Sequence, residues 1–153
     1  MSTEYIHYGS SELISISHIK NRRGFSKPQG GLWASQVDSK FGWKEWCDRE
    51  KFRVNTLDNS FKFTLKDDAK IFHIYSINDL KQLPKQRTEF ELTWYCLDFE
   101  EIEKEFDGIE LHLSEEKFEG ENFGQGLYFA LYGWDCDSIL LFHNHAIERW
   151  WKP

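Results

Sequence analysis

Three short stretches of this chain carry residue types that do chemistry: His7-Tyr8-Gly9-Ser10, Gly30-Gly31-Leu32-Trp33-Ala34-Ser35 and Asp135-Cys136-Asp137. A carboxylate such as Asp135 or Asp137 stabilises positive charge that develops in a transition state. An imidazole or hydroxyl such as His7 or Ser10 fixes a substrate hydroxyl, and orientation of that kind contributes several kcal/mol. The faces of Trp33, Trp43 and Trp46 attract a flat cation by roughly 0.5 to 2 kcal/mol. The Gly30-Gly31 pair lets backbone approach a ligand without a Cβ in the way. Each type also has an ordinary structural use: His satisfied within a strand, Trp as core, Asp as a turn former that bonds its own backbone, Ser35 as a helix cap. His143 and His145 stand two apart with no third metal ligand in view, so no metal site is expected. Cys47, Cys96 and Cys136 are odd in number, far apart and without CxxC spacing, and are expected to be reduced and partly buried.

The elements that must position these residues are legible in the hydrophobic pattern. Tyr5-Ile6-His7-Tyr8 reads as a strand ending at Gly9, and residues 21–31, with two glycines and a proline before Gly31, as an ordered loop. Ser35 with Asp38 three residues on fits a capping box opening a helix to about Glu50, with Val37, Phe41, Trp43, Trp46 and Cys47 on one face. Phe61-Lys62-Phe63-Thr64-Leu65 alternates as a strand, Lys66-Asp67-Asp68 turns, and residues 69–75 return as the partner of a hairpin. Ser76 and Asp98 read as caps of two short helices, the second with Phe99, Ile102 and Phe106 on one face. Asp107-Gly108 breaks that helix, and a strand follows at Ile109-Glu110-Leu111-His112-Leu113. Residues 127–132 and 138–142 are further apolar runs of strand composition. Helices and strands alternate without a βαβ rhythm, which predicts an α+β sandwich.

At 153 residues the chain is expected to be one domain, 1–153, burying roughly 70% of its unfolded surface. Hydrophobic residues make up 40% and charged residues 29%, which excludes disordered and collagen-like classes. The formal charge of -7 disfavours broad attachment to a phosphate backbone; Lys20, Arg22, Arg23 and Lys27 read first as a solvated loop, with a small local basic patch as the alternative. There is no signal-peptide pattern and no apolar run long enough for a membrane helix, so a cytoplasmic location is expected. Aromatics reach 17%, enough for a core and a stacking pocket as well.

In their order along the chain, the three stretches resemble the three-part signature of ADP-ribosyltransferases. In that family a first strand carries His or Arg, a second segment an aromatic or Ser, and a late strand is led by an acidic residue. Phe106-Asp107-Gly108-Ile109 and Asp137-Ser138-Ile139-Leu140-Leu141-Phe142 resemble further elements of the family, so the likeness in element order spans nearly the whole chain. The resemblance implies a split β-sandwich of two small sheets with short flanking helices, and a mono-ADP-ribosyltransferase that uses NAD as substrate without a metal. It assigns the key carboxylate to Asp137, with Asp135 as the other choice. NAD would be held by His7, Tyr8, Gly9, Ser10, Gly31, Leu32, Trp33 and Ser35, with Trp43 or Trp46 as a further wall. The partner it implies is a macromolecular acceptor, protein rather than nucleic acid for so acidic a chain, with no membrane. Small members act as toxins or phage and host-conflict effectors, which adds a cognate antitoxin or inhibitor as a possible second partner.

Two positions depart from the pattern: Asp137 stands where most of the family has Glu, and Asp135 where an upstream Gln or Glu is usual. The departures keep open a catalytically inactive binding or inhibitor module of the same fold, beside an NAD glycohydrolase and an unrelated metal-dependent hydrolase or nuclease. Gly126-Leu127-Tyr128-Phe129-Ala130 resembles the Gly-x-Tyr-Phe-Ala element of polymerase-type members, but lies too close to Asp137 and is assigned to the core.

Overall fold

The computed structural model describes residues 2–13, 15–22, 26–87, 95–113, 131 and 134–153. Within them the chain is α+β. Seven strands form one hydrogen-bonded run in the order β4-β7-β8-β2-β1-β3-β9, with a two-stranded β5-β6 ribbon beside it. The strands are β1 (Glu4–Tyr8), β2 (Leu32–Gln36), β3 (Ser60–Leu65), β4 (Ile71–Ile74), β5 (Lys85–Arg87), β6 (Tyr95–Leu97), β7 (Gly108–Leu111), β8 (Ser138–Leu141) and β9 (Ile147–Trp151). Three short helices accompany them: α1 (Trp43–Glu50), α2 (Ile77–Leu80) and α3 (Phe99–Ile102). No helix among the described residues is long and apolar enough to cross a membrane.

The run is bent over at β2, which serves both halves. Leu32, Trp33 and Ala34 pair with β8, whereas Ser35 and Gln36 pair with β1. The bend brings together strands that a flat sheet would hold apart. Ile71 of β4 packs into the same cluster as Leu65 of β3, and the Tyr5 hydroxyl of β1 reaches Glu110 of β7 at 2.7 Å. Because strand side chains alternate between faces, each face has its own core. One gathers Tyr5, Ala34, Phe61, Phe63, Ile139 and Leu141; the other joins Trp33, Ile109, Leu111 and Leu140 to Leu80, Phe99, Ile102 and Trp134. Phe61 and Phe63 are 1% and 0% exposed, and burying each contributes about 1.5 to 3 kcal/mol.

Several expectations hold. The first strand, the strands at 109 and 138 and the two short helices lie where the pattern puts them, with the Asp98 carboxylate accepting the Glu101 amide at 3.3 Å. All three cysteines are free and buried. Two local readings are corrected. Ser35 does not open a helix: residues 32–36 are a strand between β1 and β8, and α1 begins only at Trp43. The hairpin of residues 61–75 has the right strands and the wrong pairing, because β3 pairs with β1 and β9 while β4 lies at the opposite edge, parallel to β7. β9, with burial only at its first residue and in part at its last, carries no alternation that the pattern could reveal. The expected strand at 127–132 and the assignment of residues 126–130 to the core lie outside the described residues, apart from Leu131, which is buried.

Candidate functional site

The site begins where β1 and β2 part. Ile6 still pairs with Ser35, but one residue on the ladder stops, and the His7 side chain fills the opening. Its Nδ1–H donates to the Trp33 carbonyl at 2.6 Å. Burial pushes the imidazole below its usual range, opposed by that hydrogen bond. A neutral ring that donates from Nδ1 has an acceptor at Nε2. Gly9, at φ +118°, passes that nitrogen so closely that a Cβ there would lie 3.7 Å from it.

Beside this opening is a cavity of about 240 Å³. His7, Tyr8, Trp33, Ser35, Trp43 and Asp135 all line it, so residues from both ends of the chain meet. Ser35 ties the walls together. Its hydroxyl donates to the Asp137 carbonyl at 2.9 Å and accepts the Trp43 amide at 3.0 Å, so it caps α1 from a neighbouring strand. The Trp43 ring stacks on Trp46 at 5.4 Å, which places Trp46 behind the wall. Trp33 meets the edge of Trp134 at 4.8 Å, and the Lys27 ammonium sits 5.3 Å from its ring centroid. The loop bearing Lys27 is closed at its base by the Lys20–Gln29 bridge, and Asn21 holds it to Asp98 and to the Phe99 amide at the start of α3.

Sequence reasoning missed Lys27 and Arg53 as cavity cations and Trp134 as a wall. Lone loop cations carry no pattern; Trp134 could have been found as the neighbour of Asp135. Its Nε1 is buried and has no hydrogen-bond partner among the described residues.

Other expected residues lie elsewhere. Asp137 lines a second cavity of about 350 Å³, together with Gln36, Asp38, Glu110 and His112. The Gly30-Gly31 pair serves the chain itself. A Cβ on Gly30 would collide with the His18 carbonyl, and one on Gly31 would lie 2.6 Å from Leu140 Cδ1. Leu32 packs in the core, and Ser10 Oγ bonds the Glu12 carbonyl in its own loop.

No protein-family model, curated protein or solved structure matches this chain. The functional reading therefore rests on the cavity.

Cys136 also lines it, but burial pushes its thiol up to about 12, helped by Asp137 and Asp135 and opposed by Lys27. At pH 8 little of it is thiolate, which disfavours it as a nucleophile. Native protein is accordingly expected to resist alkylation by iodoacetamide at pH 8 and to take up three labels once unfolded, a difference read by mass spectrometry. Rapid labelling of Cys136 in the folded chain would contradict this placement.

Proposed function

We propose that this chain is an ADP-ribosyltransferase, using NAD as substrate and a macromolecular acceptor. The observation that carries the reading is the convergence of His7, Tyr8, Trp33, Ser35, Trp43 and Asp135 on one cavity at the parting of β1 and β2.

The reaction breaks the bond between ribose C1′ and nicotinamide; the bonding pair leaves with the ring and neutralises its charge. Positive charge is left on the sugar as the acceptor's lone pair closes on C1′. Asp135, a carboxylate at the cavity mouth, is the group suited to stabilise that charge and to take the acceptor's proton. His7 Nε2, an acceptor held by its partner nitrogen, suits a ribose hydroxyl. Trp33 already carries the Lys27 ammonium, and the Trp43 indole, backed by Trp46, is therefore the better face for a flat cationic ring. Lys27 and Arg53 then suit the diphosphate.

The test is to incubate the protein with NAD, with and without cell lysate, and to follow free nicotinamide and labelled ADP-ribose on macromolecules. Nicotinamide release with label transfer is the expected result. Release without transfer identifies a glycohydrolase, with water as acceptor. No release and no NAD binding by calorimetry overturns the reading in favour of a binding or inhibitor module.

A further inference from the structure

A second constellation lies across the sheet, where sequence spacing gave no signal. His73 on β4 is the register partner of Glu110 on β7, and His112 follows Glu110 by two, which puts all three on one face. His73 Nδ1 lies 3.0 Å from His112 Nε2 and 3.7 Å from Glu110 Oε1. The three ligand atoms all fall within 4.8 Å of one another.

Two features set this group apart from a chance meeting of polar side chains. Glu110 is 3% exposed, and both of its oxygens accept hydrogen bonds, from Tyr5 Oη and from Gln36 Nε2, each at 2.7 Å. Among the described residues no Lys or Arg pairs with Glu110, and the groups beside it that could carry positive charge are the imidazoles of His73, 3.7 Å away, and His112. A buried charge needs a counter-charge or a metal. The two imidazoles are also held facing each other: Tyr75 stacks on His112 at 4.3 Å and on His73 at 5.9 Å. Two imidazoles on a tetrahedral ion with bonds of about 2.0 to 2.1 Å would place their nitrogens about 3.3 Å apart, close to what is found.

We propose that His73 Nδ1, His112 Nε2 and Glu110 Oε1 bind a divalent transition-metal ion of the zinc class, independently of the NAD reading. Tyr5 and Gln36 orient the carboxylate, as supporting donors do in metal sites. Glu110 and His112 line the second cavity, which leaves the fourth position of the ion for water or a ligand reached from there. The other His-rich cluster, Asp107 with His143 and His145, is a poorer choice. Both His143 nitrogens already face carboxylates, Asp107 at 3.0 Å and Glu103 at 3.2 Å, so that ring is held by charge pairing.

The test uses the full chain, stripped with a chelator and titrated with Zn²⁺ alone against a chromophoric competitor. One ion per chain is expected, with Co²⁺ giving the visible bands of a tetrahedral site. His73→Ala and His112→Ala should each weaken binding about a hundredfold or more, and Tyr5→Phe about tenfold. The His143→Ala/His145→Ala double variant should bind as the parent does. Circular dichroism checks the fold of each variant, and His73 is exposed enough that its replacement should leave the fold intact. Absence of stoichiometric binding, binding unchanged in His73→Ala, or binding lost in the His143/His145 double variant would overturn the proposal.

Discussion

Exchanging Asp135 for Asn is expected to lower nicotinamide release by on the order of 10²- to 10³-fold, the usual effect of removing a group aimed at transition-state charge. Thermal stability should barely change, because the side chain is exposed and no hydrogen bond or ion pair to it is found among the described residues. The companion variant is Asp137→Asn. It keeps the Asp137 backbone bonds to Ser35 and Phe41, and it alters a side chain that lines the second cavity. Turnover is expected to survive that change within a few-fold. A reversed pair of results would return the key carboxylate to Asp137 and detach the chemistry from the cavity at the parting of β1 and β2.

The largest expected loss of stability from a single methyl group is at Gly30. Its φ of +79° is strained for any residue with a Cβ, and the added atom would run into the backbone carbonyls of Ser17 and His18. Strain of this kind costs about 1 to 3 kcal/mol and the collision adds to it, so Gly30→Ala should destabilise by about 3 kcal/mol or more. For a domain of this size that corresponds to a fall in Tm of about 10 °C. Gly9→Ala is the control. Its φ of +118° is also strained, but the new Cβ meets only His7 Nε2, at 3.7 Å. Differential scanning calorimetry should therefore rank Gly30→Ala well below Gly9→Ala; equal Tm values would refute the collision.

These contrasts mark where the sequence is readable. Strands such as β1 and β8 and caps such as Asp98 declare themselves because their signals are local: a short apolar run, an acceptor three residues ahead of an amide. Partnership between strands is not local. Lys66-Asp67-Asp68 has the composition of a hairpin turn, yet β4 finds β7 in parallel, where Ile74 and Leu111 share a core with Ile109 and Leu140. Ser35 shows how one side chain misleads. It does accept the first amide of α1, as a cap should, but across seven intervening residues rather than from the adjoining position.

The site divides in the same way. His7, Tyr8, Trp33, Ser35, Trp43 and Asp135 could be picked out by type, and the fold assembles them. Lys27 and Arg53 could not, since a single cation in a loop reads as solvated surface. Tyr5, Gln36, His73, Glu110 and His112 come from four strands and the residue after one of them. Their meeting depends on the bend at β2, which no periodicity encodes.

The Ser35 hydroxyl, bonded at once to the first amide of α1 and to the Asp137 carbonyl, has a thermodynamic meaning for the first cavity. It ties the start of α1 to the residue before β8, and so joins the segments that carry Trp43 and Asp135. A small molecule entering such a space freezes little protein motion, and little conformational entropy is subtracted from the contacts it makes. Rigidity built in during folding is then available at every encounter, and a site of modest volume can be selective without being slow to form.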